Sequence, residues 1–296
     1  MVRIWRVKRC VSRKRTNIIN EKNSLYLKDF LNSSDKFCPS INHVNIFDEN
    51  YNAFSAILLD KAKPGNWIPV YKKEDLSKYL IENKLIPIRC GQGEFFFYRG
   101  DIFYELNQLE FVKIDIKYLK KIDTFIPLTL KEFHKNENAY LNKALAIGII
   151  NNFVDSDNLT VFKKELYHKN YRRLLYGQFG KIKTTFDLEF KTTYGLKKIN
   201  KGFQFEIDLV LENEDEIIIF EAKQGLKQRE NFTLLQLYYP LIYLDKITNS
   251  QKRIRTIFID IISNNNHEIY KLIEFDFQNL EFNNYKVIQS CEYYTE

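Results

Sequence analysis

The sequence predicts an α/β (α+β) protein, a mixed central sheet flanked by helices and preceded by a smaller N-terminal α+β region. Three observations carry this reading. Residues 203–212 alternate apolar and polar, and after a short polar link residues 216–223 form a run that is apolar on both faces, as expected of a hairpin entering the middle of a sheet. Helical patterns stand before it at 136–154 and after it at 231–245, and a further strand follows at 255–263. The chain has 296 residues, 45% of them hydrophobic, enough for one sizeable core with or without a small appended domain.

The elements are justified in chain order. Residues 17–133 read as mixed α+β. Within them, 73–84 fits an amphipathic helix with Leu76, Tyr79 and Leu80 on one side, and 85–90 and 94–99 fit two strands joined by Gly91-Gln92-Gly93. A helix followed by a hairpin suits a winged-helix-like module, and ordinary α+β packing as well. Residues 136–154 form a helical pattern, with Asn136 as N-cap and Ala139, Leu141, Ala144, Leu145, Ile149 and Ile150 as apolar positions. A break at 155–158 is followed by a second helical pattern at 163–175, rich in basic and aromatic residues, and by a strand at 183–193. Two regions are therefore expected, 1–135 and 136–296.

Charge is distributed unevenly. The net charge is +7, and residues 1–16 alone carry Arg3, Arg6, Lys8, Arg9, Arg13, Lys14 and Arg15 with no acid, leaving the rest of the chain neutral. A basic arm on a neutral body fits a polyanion partner or a solvated terminus. No apolar run is long enough to span a membrane, and the N-terminus lacks a signal-peptide pattern. Cys10, Cys38, Cys90 and Cys291 are scattered without a CxxC pair, which suits a reducing cytoplasm. The four histidines make no HExxH motif, and GxSxG and phosphate-loop motifs are absent, so zinc-peptidase, serine-hydrolase and nucleotide-hydrolysis readings have no support.

The chemistry concentrates in the predicted hairpin. Asp208 lies on the polar face of the first strand, and Glu221 and Lys223 lie two apart at the end of the second, which is the most apolar strand of the chain. Antiparallel pairing through the polar link 212–215 brings these three side chains to one side of the sheet. Two carboxylates suit Mg²⁺, a hard cation that keeps several waters. The ion stabilises charge on a phosphoryl group and activates its bound water, while a neighbouring lysine orients that water or neutralises developing charge.

These residues resemble the PD-(D/E)xK nuclease superfamily: Asp208 matches its aspartate and Glu221-Ala222-Lys223 its (D/E)xK segment, with Ile207 where the motif has proline. The resemblance covers about 136–263, includes Leu235-Gln236-Leu237-Tyr238-Tyr239-Pro240 in the helix after the hairpin, and is greatest to type II restriction endonucleases. It implies a restriction-endonuclease-like core with an N-terminal DNA-recognition region. It also implies Mg²⁺ held by Asp208, Glu221 and the backbone carbonyl of Ala222, and catalysis by Asp208, Glu221 and Lys223.

Accessory candidates are Glu206, on the face of Asp208; Glu137, at the start of the preceding helix, a position the helix dipole favours in any case; and Gln224. Candidate DNA contacts are Arg172, Arg173 and Lys181 before the hairpin and Lys227 and Arg229 after it; such charge runs also occur as solvated faces. The implied partners are double-stranded DNA, a second copy of the chain, and a methyltransferase acting on the same site. A junction, repair or modified-DNA nuclease of the same superfamily, and a DNA-binding protein that does not cleave, are the alternatives.

Overall fold

The structure is a computed structural model and describes residues 54–55, 73, 85–90, 94–119, 137–155, 172–175, 182–193, 195–264 and 267–294. The basic arm, the pattern at 73–84 beyond Lys73, Lys181 and most of the pattern at 163–175 lie outside the described residues.

The described strands are, in order, Phe54–Ser55 (β1), Leu85–Arg89 (β2), Glu94–Arg99 (β3), Phe103–Glu105 (β4), Val112–Asp115 (β5), Arg172–Leu175 (β6), Ile182–Lys183 (β7), Leu188–Thr192 (β8), Gly195–Ile199 (β9), Gln204–Phe205 (β10), Leu209–Glu212 (β11), Glu216–Gly225 (β12), Asn231–Thr233 (β13), Arg253–Asn264 (β14), His267–Phe277 (β15) and Tyr285–Tyr294 (β16). The α-helices are Glu137–Ala146 (α1), Ile149–Asp155 (α2) and Leu235–Thr248 (α3). The protein is thus mixed α+β, with a mostly β architecture.

Its centre is a mixed seven-stranded sheet in the order β5-β16-β15-β14-β12-β11-β6. β12 pairs parallel with β14 and β16 parallel with β5, and the other pairs are antiparallel. A parallel pair needs a crossover, and β13 with α3 supplies it between β12 and β14. The middle strands are buried on both faces because their apolar residues are consecutive. Ile217 and Ile219 of β12 and Phe258 of β14 pack with Leu237, Tyr238 and Leu241 of α3. Ile218, Phe220 and Ala222, with Ile257, Ile259 and Ile261, pack with Tyr140, Leu141 and Ala144 of α1 and Ile150 and Phe153 of α2. Residues expected in the N-terminal region join the same architecture: β5 is the sheet edge, and Ile88, Tyr98 and Phe103 share the α3-side core.

Several local expectations are corrected. The pattern at 136–154 is two helices, parted at Gly148, whose φ of 87° lies in the left-handed region that glycine tolerates. Residues 172–175 are a strand, not the end of a helix. Residues 231–233 form β13, so the following helix starts at Leu235 and runs on to Thr248, where Asn249 takes a left-handed C-cap. The strand expected at 183–193 is split between β7 and β8.

The correction that matters most is at 203–212. The chain leaves extended pairing between β10 and β11 and bends at Asp208. Phe203 and Ile207 belong to the α3-side core, whereas Leu209 and Leu211 belong to the other. One uninterrupted alternation in sequence therefore becomes two segments of opposite facing, with Asp208 at the inversion.

Candidate active site

β11 pairs with β12 from Glu212↔Ile217 to Leu209↔Phe220 and then ends, while β12 runs on to Gly225. The Asp208 carboxylate fills the vacated position on this side of the ladder: the Ala222 N–H donates to Asp208 Oδ2 (2.8 Å). The bend that breaks the predicted strand is thus what turns Asp208 toward β12.

Glu221 and Lys223 share the α3-facing side of β12. Glu221 is 6% exposed. Its Oε1 accepts from Lys223 Nζ (2.5 Å) and from Nε2 of Gln236 in the first turn of α3 (2.6 Å). Lys223 Nζ also donates to the Ala222 carbonyl (3.0 Å). Glu137, first residue of α1, places Oε2 4.0 Å from Lys223 Nζ, and its Oε1 accepts from the Gln224 N–H (3.4 Å). Asp208, Glu221, Lys223 and Glu137 therefore meet at one end of the central hairpin.

The electrostatics follow from burial with an excess of acid. Burial pushes the Glu221 carboxyl up to about 8, the nearby Lys223 opposing and Asp208 and Glu137 reinforcing the rise. Asp208 is raised for the same reason, against the pull of Lys223 and the Ala222 N–H. Burial works against the Lys223 ammonium, but the charges of Glu221, Asp208 and Glu137 together hold its pKa above the usual lysine value. Among the described residues one cation faces three carboxylates in a poorly solvated corner. Among the described residues no group of three or more His, Cys, Asp and Glu side chains is already arranged to hold a metal. Mg²⁺ needs only one or two carboxylates, the remainder of its shell being waters and substrate oxygens.

The remaining candidates fall in different places. Glu206 is exposed, and its charge is the last and smallest of those raising Asp208. Gln224 follows Lys223 and accepts from Arg229 NH2 at its carbonyl (3.3 Å). Backbone register sets Arg172 against Glu212 and Arg173 against Leu211, toward the turn end of the hairpin and away from the cluster. Lys227 is exposed on the loop after β12, and Arg229 on the same loop leans on Asp260 of β14, Nε to Oδ1 being 3.7 Å. Two residues escaped the sequence reading. Gln236 is the one polar residue of Leu235-Gln236-Leu237-Tyr238-Tyr239-Pro240, and a lone amide in an apolar helix turn was its signal. Asp260 is the single acid inside Ile257-Phe258-Ile259-Asp260-Ile261-Ile262, and an unexplained charge in an apolar strand was the signal available.

Fold and site together define a mixed α+β protein with a buried carboxylate–lysine cluster where its central hairpin ends. Over residues 98–294 the chain matches the family described as a domain of unknown function (DUF6997), and it belongs to that family. No curated protein and no solved structure matches it. Among the described residues no helix is long and apolar enough to cross a membrane.

Proposed function

We propose that this chain is a Mg²⁺-dependent nuclease that hydrolyses phosphodiester bonds of double-stranded DNA, with a restriction-endonuclease-like core of the PD-(D/E)xK type. The observation that carries the proposal is the convergence of Asp208, Glu221 and Lys223 at one end of the β11–β12 hairpin, with burial holding both carboxyls above their ordinary range. Titratable groups perturbed by burial and by one another mark candidate functional sites, and an excess of carboxylate is what a divalent cation would neutralise.

The residues fit that cation. Asp208, Glu221 and the Ala222 carbonyl would hold it, and the Lys223 ammonium already lies against Glu221 Oε1 and Ala222 O, so this oxygen set accepts positive charge. When bound, Mg²⁺ supplies a Lewis acid for the phosphoryl oxygens and a more acidic water. Gln236 orients Glu221 through its 2.6 Å hydrogen bond. Lys223 neutralises charge that develops on the phosphoryl group and orients the attacking water. Glu137 keeps Lys223 charged and on station.

Within this class we read the chain as a type II restriction endonuclease of the cytoplasm. It would act as a homodimer, because a palindromic target is cut once per strand by twofold-related sites, beside a methyltransferase that protects the same sequence. The test is digestion of unmodified plasmid DNA, followed by sequencing of the ends. Cleavage is expected with Mg²⁺ or Mn²⁺ and none in EDTA, with Ca²⁺ supporting binding but little cutting. Full-rate cutting in EDTA, or intact plasmid under every metal, ends the proposal; defined ends support a restriction enzyme and scattered ends another nuclease of the superfamily.

A further inference from the structure

Beside the candidate active site the loop after β12 encloses a cavity of about 500 Å³, lined by Gln224, Gly225, Lys227, Gln228, Arg229, Glu230 and Asn231. The loop is pinned. The Arg229 N–H donates to Asp260 Oδ2 (3.3 Å), Lys271 Nζ donates to Gln228 Oε1 (2.8 Å), and the Leu106 N–H donates to the Glu230 carbonyl (2.8 Å). Asp260 lies opposite Lys223 in the parallel β12–β14 register, so the loop is anchored to the strand adjoining the carboxylate cluster.

The anchoring is incomplete in a particular way. Asp260 is fully buried, yet among the described residues its Oδ1 accepts no hydrogen bond and the buried Nε of Arg229 donates none; the two atoms face each other at 3.7 Å, an ion pair without a hydrogen bond. Buried groups left in this state call for an explanation. Lys271, the other cation near Asp260, is engaged with Glu292 at 3.1 Å. The Arg229 side chain is partly open to the cavity, and its NH2 donates to the Gln224 carbonyl (3.3 Å). A planar guanidinium held from behind by a carboxylate presents its remaining N–H groups as a fork that fits phosphate oxygens.

We propose that Arg229, with Lys227 at the rim, forms a phosphate subsite in this cavity, and that Asp260 is its positioning residue. Resting on the nuclease reading, the subsite takes a backbone phosphate of the nucleic acid strand flanking the one to be cleaved. It fixes the strand against Gln224, the residue after Lys223. Glu230 at the cavity wall opposes a second anion and limits the subsite to one phosphate. As a phosphate contact it positions the duplex without reading its bases.

The experiment measures binding of a short duplex DNA by the full chain without metal, across a range of salt. Replacing Arg229 alone strands the buried Asp260 charge, so the main variant is the double Arg229→Gln, Asp260→Asn, with melting curves as the check on folding. The expected result is about tenfold weaker binding and a plot of log affinity against log salt flatter by about one phosphate's contribution. Asp260→Asn alone keeps the arginine charge and should weaken binding several-fold with the salt slope unchanged. Arg229→Lys should keep the slope and recover part of the affinity. A folded double variant that binds with wild-type affinity and slope overturns the subsite, as does a wild-type chain that does not bind duplex DNA. Cleavage assayed in parallel with Mg²⁺ separates the two readings: binding that depends on Arg229 without any cutting keeps the subsite and ends the nuclease, whereas cutting indifferent to Arg229 does the reverse.

Discussion

The two ends of the β12–β14 pair carry buried charge in opposite conditions. At the starting end, Arg255 is 2% exposed and grips Glu274 of β15 with two hydrogen bonds, Nε to Oε1 at 2.7 Å and NH2 to Oε2 at 2.8 Å. Its NH1 donates to the Val154 carbonyl (3.1 Å) and lies 3.9 Å from Glu216, and Gln289 adds a further donor to Glu274 (2.8 Å). The Arg255–Glu274 pair is matched atom for atom: a forked cation on a forked anion, with a further N–H on a helix-end carbonyl. At the finishing end, among the described residues, three carboxylates share one lysine, Asp208 is held by a backbone N–H, and Asp260 Oδ1 and Arg229 Nε face each other without a hydrogen bond. The same two strands thus show what buried charge looks like when it holds a fold together, and what it looks like when it is kept for something that arrives later.

The sharpest way to break this comparison is to neutralise the finishing end. Asp208→Asn, Glu221→Gln and Lys223→Ala are each expected to lower cleavage by about a thousandfold or more, roughly 4 kcal/mol of transition-state stabilisation. The two acid variants should stay folded, because the acid excess disfavours the folded chain and its removal relieves repulsion; Lys223→Ala removes the counter-charge instead, so its activity is read beside its melting curve. Melting temperatures without metal should hold or rise in the two acid variants. Glu214→Ala, an exposed acid in the hairpin link, is the control that should cut normally. Cleavage at wild-type rate in the three variants, or loss that tracks unfolding, removes the distinction between the two ends.

The starting end should respond in the opposite sense. Arg255→Met or Glu274→Gln strands one member of a buried pair, at an expected cost of about 3–5 kcal/mol, read as a large drop in denaturation midpoint. Replacing both, Arg255→Met with Glu274→Leu, should recover much of that loss. Whatever protein remains folded should cut at the wild-type rate. A variant that stays stable but loses cleavage would show that this network reaches the chemistry, against its distance along the strands. Glu216, buried beside Arg255, belongs with this group although it shares a strand with Glu221.

Sequence patterns foretold the parts of the fold in which local and tertiary preferences agree. The β2–β3 hairpin, the doubly apolar β12, most of α3 and β14 all stand where periodicity put them. So do the residues gathered at the hairpin end, since a two-residue spacing on a strand fixes a shared face. The break at Glu206–Asp208 was hidden because Phe-Gln-Phe-Glu-Ile-Asp-Leu-Val-Leu-Glu alternates without interruption. Packing of Phe203 against Tyr239 and of Phe205 against Tyr243 of α3, ring centroids 4.6 and 5.2 Å apart, keeps the first half on the other core. β15 sets apolar residues side by side, Ile269-Tyr270 and Leu272-Ile273, and β16 does so at Val287-Ile288, so neither shows a strict alternation, and nothing local indicates that two further long strands complete the sheet. Residues 172–175 read as helix because Arg-Arg-Leu-Leu has no period of its own; edge pairing with β11 decides the matter.

The smallest effect is the most discriminating for Asp260, which belongs to neither condition fully. Burial pushes its carboxyl up to about 6, with the Arg229 N–H, Arg229 and Lys271 pulling the other way. An acid whose folded-state pKa lies above its unfolded value binds more protons when folded. Its contribution therefore favours the fold at low pH and is lost as pH rises from the unfolded value, near 4, through about 6. The wild type minus Asp260→Asn stability difference should fall across that window, by at most about 3 kcal/mol, and be flat above pH 7. Urea melts of the metal-free chain at a series of pH values measure it. If a cation instead gripped the Asp260 carboxylate tightly enough to lower its pKa, the difference would grow with pH over the same range, and the unmet atoms beside the cavity would have to be explained without a ligand.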